Sequence, residues 1–429
     1  MAKKDLRTYR GMRDFLPGQM RRRDYVFSVL REVFEAHGFE KIETPAIELW
    51  EVLSGKYGEE EKLIYRFKDR KGREVGLRYD LTVPLARFVA QHRSELVFPF
   101  KRYQMERVWR ADRPQKGRFR EFYQCDVDIV GTSSLLADAE IVFIIYHALR
   151  RLGFEKFLIR INNRKLIAAL HRRLGEGDEF SLARAMDKFD KIGAQGVREE
   201  LLSRGFSPRA AELVLKSMGL SSLEQARSFF GDEEGVKELE ELFSYIRAMG
   251  IPGDFYSYDP TLARGLDYYT GPIFETVVEE PKIGSITGGG RYDGLIGSFA
   301  GMDIPATGTS LGVERIIAVM EELDMFPSEI PPPAHVLIAH FPDTKEEALK
   351  LASRLLASGI RVDVYSGDKG LRAQLGYAAD KGIPLVAIVG EEIKKGEVSL
   401  KDLKSGNQQR MGVDSLEKYI KGLYYSDFK

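Results

Sequence analysis

RADRPQKGRFREFYQCDVD, from Arg110 to Asp128, is a basic segment that runs directly into a stretch of alternating polar and apolar residues. Because successive side chains of a strand point to opposite faces, Gln124, Asp126 and Asp128 share one face, about 6.6 Å apart from one to the next. The other face carries Tyr123, Cys125, Val127 and Ile129. We therefore predict a hairpin that leads into a sheet strand with one core face and one polar face.

Positive charge is concentrated around this hairpin. Residues 101–120 contain eight basic and two acidic side chains, in a chain whose 65 basic and 65 acidic residues cancel. The basic residues are Lys101, Arg102, Arg107, Arg110, Arg113, Lys116, Arg118 and Arg120. Such a local excess favours binding of phosphate groups. A solvated edge of an antiparallel sheet is the alternative interpretation.

The bulk composition predicts a soluble globular protein of two or three domains, since 429 residues exceed one ordinary core. The balanced charge predicts no general affinity for polyanions. A single cysteine, Cys125, excludes disulfides within the chain and fits a reducing cytoplasm. There is no apolar signal segment at the N-terminus and no apolar run long enough to span a membrane, so we expect a cytoplasmic protein without a membrane partner.

The first part of the chain reads as a mixed antiparallel sheet with flanking helices. Apolar spacing predicts helices over 19–36, 81–91 and 136–152. Strands are predicted over 39–48, closed by Pro45, and over 63–68, 74–79, 98–109 and 122–130. Strand signals return in PIFETVVEE, ahead of a helix over 311–323. The predicted fold class is α+β.

Changes in the local sequence pattern predict four segments. Residues 1–161 and 251–328 form the two parts of a core, and residues 162–250 form a helical insertion. Pro331 to Pro333 make a stiff linker. Residues 334–429 alternate as β-α-β-α-β, which predicts a small, largely parallel doubly wound domain.

The common nucleotide motifs are missing from the sequence. There is no P-loop, and no GxGxxG opens a helix after a strand. Arginines are the obvious substitute, because a guanidinium matches a phosphate bidentately. The candidates are Arg110, Arg113, Arg118, Arg120, Arg264 and Arg315. The six histidines are scattered, which argues against a histidine metal site, and the sequence marks no metal ligand.

With these residues in view, the chain resembles class II aminoacyl-tRNA synthetases, and within them the histidyl-tRNA synthetase family, over essentially its whole length. The class marks are the helix and strand near Pro45, the arginine-led hairpin ending at Phe122, and Gly312 with Glu314 and Arg315. More specific are LRYDLTVPLARFVA (77–90), REFYQCDVDIVG (120–131), ARGLDYYTGPIFE (263–275) and GGGRYDGL (288–295), in the family's order. The sequences LRYDLT and FYQCDVDIVG resemble the archaeal and eukaryotic branch of the family more than the usual bacterial one.

The resemblance implies a ligase of protein biosynthesis that is cytoplasmic and homodimeric. It would activate L-histidine with ATP and Mg²⁺ to histidyl adenylate, then transfer it to the 3′ end of tRNA(His). It also implies an antiparallel catalytic sheet flanked by helices, a helical insertion and a C-terminal α/β anticodon-binding domain. Residues 334–429 carry only two more basic than acidic side chains, so charge alone does not predict RNA binding there.

For ATP, the resemblance assigns Arg110 to the α-phosphate and Phe122 to adenine stacking, with Arg315 on the other face of the base. Glu106 and Arg118 are further ATP candidates. The alternatives are an ion pair from Arg110 to Asp112, a plain core role for Phe122, and contact of the hairpin arginines with tRNA.

For histidine, the resemblance assigns the ammonium to Asp80, Thr82 and Gln124, and the two imidazole nitrogens to Asp128 and Tyr269. Tyr268 competes with Tyr269, since alternation predicts that only one of them faces inward. Tyr292 is a predicted pocket wall. Gly288 to Gly290 would let the backbone approach the substrate, or would form a plain turn. The alternative is that Asp128 is a surface acid, in which case Gln124 and Asp126 would pack on the same strand without a binding role.

Arg264 is the sharpest prediction. By resemblance it touches the substrate carboxylate and the α-phosphate, and so is catalytic together with Arg110. An ion pair with Asp267 is the structural alternative.

Two other functions are alternatives to a histidyl-tRNA synthetase. One is a non-catalytic regulator that senses histidine, which would tend to lack the C-terminal domain and the catalytic arginines. The other is a synthetase for proline, threonine or glycine, which would need another pocket.

Overall fold

The computed structural model describes residues 6–115, 117–263, 268–327 and 330–424. The chain divides into two compact units, Met1–Phe326 and Pro327–Lys429. The finer division into four segments stays a prediction. Within the described ranges, no helix combines the length and the apolar character needed to cross a lipid bilayer.

The helices of the first unit are α1 (Pro17–Ala36), α2 (Trp50–Leu53), α3 (Thr82–His92), α4 (Leu135–Arg151), α5 (Arg164–Leu174), α6 (Glu179–Asp187), α7 (Phe189–Ser203), α8 (Pro208–Met218), α9 (Leu223–Phe230), α10 (Glu234–Ala248), α11 (Asp293–Ala300) and α12 (Val313–Glu322). Its strands are β1 (Glu40–Lys41), β2 (Ile47–Leu49), β3 (Arg66–Lys68), β4 (Glu74–Leu77), β5 (Phe100–Trp109), β6 (Glu121–Val130), β7 (Leu158–Asn163), β8 (Tyr256–Tyr258), β9 (Pro272–Val277), β10 (Thr287–Arg291) and β11 (Ala306–Leu311).

An eight-stranded sheet in the order β1-β5-β6-β11-β10-β9-β7-β8 forms the frame of this unit. Its central strands are antiparallel, and β1 and β8 join the edges in parallel. A separate three-stranded sheet has the order β2-β4-β3. The predicted antiparallel sheet flanked by helices is confirmed.

The apolar face of β6 forms part of the main core, as its alternation predicts. Cys125, Val127 and Ile129 are buried in one cluster with the inner faces of α1 and α4. Burial raises the pKa of the Cys125 thiol well above its ordinary value, so this cysteine is a core residue. The Ser134 side chain caps α4 by accepting from the Leu136 amide.

The predicted strand over 39–48 is wrong as a single element. The chain forms the two-residue β1, which pairs with β5, and then crosses to β2 in the other sheet. Pro45 stands between the two strands and has no amide proton to donate to a ladder. The predicted helical texture of 162–250 appears as α5 to α10.

The second unit contains a five-stranded sheet in the order β13-β12-β14-β15-β16. Its strands are β12 (Val336–His340), β13 (Val362–Val364), β14 (Leu385–Val389), β15 (Glu397–Asp402) and β16 (Gln408–Gly412), and its helices are α13 (Lys345–Ala357), α14 (Leu371–Lys381) and α15 (Val413–Tyr424). The predicted β-α-β-α-β part is parallel. The antiparallel hairpin β15–β16 and the last helix were not predicted.

Candidate active site

A cavity of about 310 Å³ opens on the polar face of β6 in the first unit. Its lining includes most of the predicted site residues: Asp80, Thr82, Arg110, Arg118, Phe122, Gln124, Asp128, Tyr268, Tyr269, Tyr292 and Arg315. Glu106 does not belong to this lining and pairs with Arg78 at 2.7 Å. Arg264 and Asp267 lie outside the described residues.

The floor of the cavity is built by the pairing of β5 with β6. The register sets Arg102 opposite Asp128 and Gln104 opposite Asp126. The Arg102 side chain is fully buried, and its Nη2 lies 2.7 Å from Asp128 Oδ2. The charge of Asp128 is therefore balanced from within the protein.

Asp128 has two further neighbours that fix it in place. The Tyr292 hydroxyl donates a hydrogen bond to Asp128 Oδ1. On the adjacent strand β11, a Cβ atom at Gly308 would overlap the Asp128 carboxylate. Burial raises the pKa of Asp128, while Arg102 and the Tyr292 hydrogen bond lower it. The carboxylate is thus held rigidly, with acceptor capacity left for a ligand.

Asp80 Oδ2 and Gln124 Oε1 are among the buried acceptor atoms of the lining that have no hydrogen-bond partner within the described part of the chain. Asp80 Oδ1 accepts from the Tyr57 hydroxyl at 2.9 Å and from the Val83 amide at 3.1 Å, whereas Oδ2 accepts from neither. Gln124 Nε2 donates to Ser310 Oγ at 2.8 Å, which leaves Oε1 without a donor. An unpaired buried acceptor costs about 1–3 kcal/mol, so a ligand that brings donors here is stabilised.

Both tyrosines of the 268–269 pair line the cavity, so the prediction that only one faces inward is wrong. Their rings meet edge to face at 5.0 Å, and Tyr268 meets Tyr292 at 5.8 Å. The two residues lie in a turn and an irregular segment, where the alternation of a strand does not apply. Burial raises the pKa of both hydroxyls, which stay protonated and able to donate.

Arg110, which also lines the cavity, is held by its aromatic neighbours. Its Nε donates to the Tyr79 carbonyl at 3.1 Å, and its guanidinium lies 4.3 Å from the Tyr79 ring centre and 5.2 Å from that of Phe122. Asp112, the partner considered from the sequence, pairs with Arg118 at 3.1 Å. A cation and an aromatic ring therefore stand side by side, as binding of a nucleotide requires.

Arg315 reaches the cavity lining from the first turn of α12. Its Nη1 donates to the Ser285 carbonyl at 2.5 Å. The preceding Glu314 accepts from Arg23 at 2.7 and 2.9 Å and pairs with Arg13 at 2.5 Å. These contacts join the start of α12 to the N-terminal segment and to α1.

Part of the positive charge around the hairpin does not reach the cavity. Lys101 pairs with Glu140 at 2.6 Å, Arg107 pairs with Glu121 at 3.2 Å, and Arg102 pairs with Asp128. None of these three residues lines the cavity, so the basic excess counted in the sequence overstates the positive charge available there. Gly288 to Gly290 lie on β10 and so do not form a turn.

Sequence reasoning missed three residues around the site. Arg102 was counted only as surface charge, although the register of the predicted hairpin sets it opposite Asp128. Ser310 and Glu275 line the cavity from β11 and β9; Glu275 ends the motif ARGLDYYTGPIFE but was given no role, and Ser310 lies in no motif singled out above. Their positions depend on how distant strands pair.

Comparisons with known proteins identify the family. The family model described as "Histidyl-tRNA synthetase" matches residues 11–316, and the model described as "Anticodon binding domain" matches residues 334–423. The histidine–tRNA ligase of Aeropyrum pernix is 43% identical, with 96% of this chain and 97% of the relative covered. That of Bacteroides fragilis is 40% identical, with 95% and 97% covered.

A solved structure agrees with these relatives. The crystal structure of histidyl-tRNA synthetase from Nostoc sp. PCC 7120 superposes with a TM-score of 0.84 at 32% identity, covering 98% of this chain and 99% of that one. The sequence similarity and the fold similarity both extend over nearly the whole length. The chain belongs to the histidyl-tRNA synthetase family of class II aminoacyl-tRNA synthetases.

Proposed function

We propose that the cavity on β6 is the site where this ATP-dependent histidine–tRNA ligase joins histidine to AMP, before transfer to the 3′ end of tRNA(His). Membership of the histidyl-tRNA synthetase family supports the overall reaction. The observation that supports this location is the meeting, in one cavity, of two unpartnered buried acceptors, a braced carboxylate and a ring-flanked arginine.

The acceptor end suits free histidine. Its ammonium group would donate to Asp80 Oδ2 and Gln124 Oε1, with the Thr82 hydroxyl beside them. The imidazole would donate from one nitrogen to Asp128 and accept from the Tyr269 hydroxyl at the other. A site that buries such partners rejects ligands that lack them by roughly 10⁴-fold.

The arginine end suits ATP. Arg110 and Arg118 would contact phosphates, and adenine would lie between Phe122 and Arg315. In the first step a histidine carboxylate oxygen attacks the α-phosphorus and pyrophosphate leaves. In the second step a terminal ribose hydroxyl of tRNA attacks the carbonyl carbon and AMP leaves. Arg110 would stabilise the charge that develops on the α-phosphate.

Arg264 would act with Arg110 in this role, on the strength of the sequence resemblance. Its replacement by alanine is expected to leave the fold intact and to remove most adenylation. Near wild-type turnover of this variant would refute the assignment.

Mg²⁺ is proposed to enter bound to ATP. Among the described residues no group of three or more histidine, cysteine or acidic side chains is arranged to hold a metal ion. Magnesium is commonly held by one or two carboxylates together with substrate phosphates. Glu275, buried and in the cavity lining, would be one carboxylate for such a role.

The second unit would recognise the anticodon loop, as the match to the anticodon-binding family suggests. The enzyme would work in the cytoplasm, where tRNA is charged.

A homodimer is supported by the sheet β2-β4-β3. Its Ile47, Leu49 and Phe67 side chains are 50%, 42% and 42% exposed and lie on one face. Such an apolar patch is typical of a subunit contact.

The test of the site is a split between the two substrates. Asp128→Asn is expected to raise the KM for histidine about 100-fold and leave the KM for ATP unchanged, because it removes the charged acceptor of the imidazole; circular dichroism verifies that the variant, which also takes the ion pair from buried Arg102, is folded. Arg315→Ala should raise the KM for ATP and leave the KM for histidine unchanged. Arg107→Ala, whose ion pair with Glu121 lies outside the cavity, is the matched control. Equal changes in both KM values for either site variant would contradict the assignment.

A further inference from the structure

Asp126 lies between Gln124 and Asp128 on the floor of the cavity, and the proposed function gives it no contact with a substrate. Its side chain is 2% exposed. An ionised carboxylate at this depth is costly unless its oxygens accept hydrogen bonds. The partners of Asp126 therefore indicate what it does.

Those partners form a chain that ends at Gln124. Ser310 lies directly opposite Asp126 in the pairing of β6 with β11, so the two side chains share one face, and the Ser310 hydroxyl lowers the pKa of Asp126. Gln124 Nε2 donates to Ser310 Oγ at 2.8 Å and lies 3.5 Å from Asp126 Oδ1. Both contacts call for the amide nitrogen of Gln124 on this side.

The chemistry of Asp126 sets the direction of this chain. In an assay at about pH 8.5, above the raised pKa of Asp126, the carboxylate is ionised and only accepts hydrogen bonds, so the Ser310 hydroxyl donates to it and presents its lone pairs to Gln124. The two ends of a glutamine amide have the same shape, so hydrogen-bond partners choose between the two orientations. The amide nitrogen is thereby committed to Ser310, and Oε1 is left without a partner among the described residues.

We propose that Asp126 is a positioning residue which, acting through Ser310, holds the Gln124 amide with its oxygen available to the ammonium group of the substrate. The inference rests on the proposed function, in which Gln124 binds that ammonium. Asparagine at position 126 offers a donor as well as an acceptor. Ser310 could then donate to Gln124, and the amide could turn its NH₂ group toward the ammonium.

The test compares the full-length wild type with Asp126→Asn, Ser310→Ala and the double variant. The KM for histidine is measured by ATP–pyrophosphate exchange. The Ki of 3-(imidazol-4-yl)propanoate, which has the imidazole and carboxylate of histidine but no ammonium, is measured by competition. Circular dichroism verifies that each variant is folded.

Asp126→Asn is expected to raise the KM for histidine about 10-fold or more, the value of a hydrogen bond to a charged group. Ser310→Ala should raise it about threefold, because Asp126 retains its longer approach to Gln124. The double variant should be no worse than Asp126→Asn. The Ki of the analogue and the KM for ATP should stay at their wild-type values in all three.

Gln124→Glu provides the decisive control. The two oxygens of a carboxylate are alike, so orientation no longer matters, and Asp126→Asn should not raise the KM for histidine in that background. An equal rise in both backgrounds would overturn the proposal, as would a parallel loss of the analogue or wild-type binding by Asp126→Asn. A wild-type chain without histidine-dependent exchange would overturn the proposed function itself.

Discussion

At the scale of the residue, burial controls the acids on the cavity floor. Burial raises the pKa of Asp126 from 3.8 to about 7, against the opposing influence of Arg102. In the unfolded chain this carboxyl ionises near 3.8. Ionisation is therefore harder in the folded protein, and the contribution of Asp126 to stability falls as the pH rises between these two values.

Asp126→Asn should consequently stabilise the protein at high pH. The free energy of unfolding of the variant should match the wild type near pH 4 and exceed it by up to about 4 kcal/mol at pH 8, at about 1.4 kcal/mol per unit of pKa. Urea unfolding at a series of pH values measures this gap. Asp24→Asn, at an exposed position of α1, is the control. Parallel curves for wild type and Asp126→Asn would contradict the burial argument.

At the scale of the element, local patterns predicted the strand that forms the cavity floor, whereas the roles of the site residues came from the family resemblance and stay predictions. The alternation in 122–130 predicted which side chains of β6 enter the core and which form the floor, and helical spacing predicted α1, α3 and α4 to within two residues at each end. The inward orientation of both Tyr268 and Tyr269 was not predicted, because strand alternation was assumed where the chain forms no strand. The contact of Arg102 with Asp128 depends on register between strands, which a single segment does not encode.

Gly308→Ala tests how closely β11 approaches β6. The added Cβ would overlap the Asp128 carboxylate, so the acid must move away from Arg102 and Tyr292. We expect the histidine kcat/KM to fall at least 100-fold, with little change in the KM for ATP. Gly294→Ala, where the same atom would meet open space, is the matched control. Wild-type kcat/KM for Gly308→Ala would mean that the strands are not so close.

At the scale of the whole molecule, the second compact unit begins at Pro327, a few residues before the Pro331 to Pro333 linker expected from the sequence, and the division into domains stays a prediction. The hairpin β15–β16 was missed, because the short, polar β16 carries little of the apolar signal that marks a buried strand. Assembly is also invisible to local patterns, since an apolar side chain reads the same in a core and in a subunit contact.

Phe67→Glu is expected to weaken the proposed dimer, because it places a charge on the exposed apolar face of β2-β4-β3. Light scattering coupled to gel filtration should give twice the chain mass of 48.7 kDa for the wild type and a lower mass for the variant. Leu349→Glu, at an exposed apolar position of α13, is the control. A wild type of single mass would refute the dimer.

The central claim is that one cavity joins histidine, recognised by Asp80, Gln124 and Asp128, to AMP. ATP–pyrophosphate exchange run separately with each amino acid tests it most directly. The account predicts exchange with histidine alone, and its loss in Asp128→Asn at histidine concentrations that saturate the wild type. Exchange with another amino acid, or full exchange with histidine in Asp128→Asn, would contradict it.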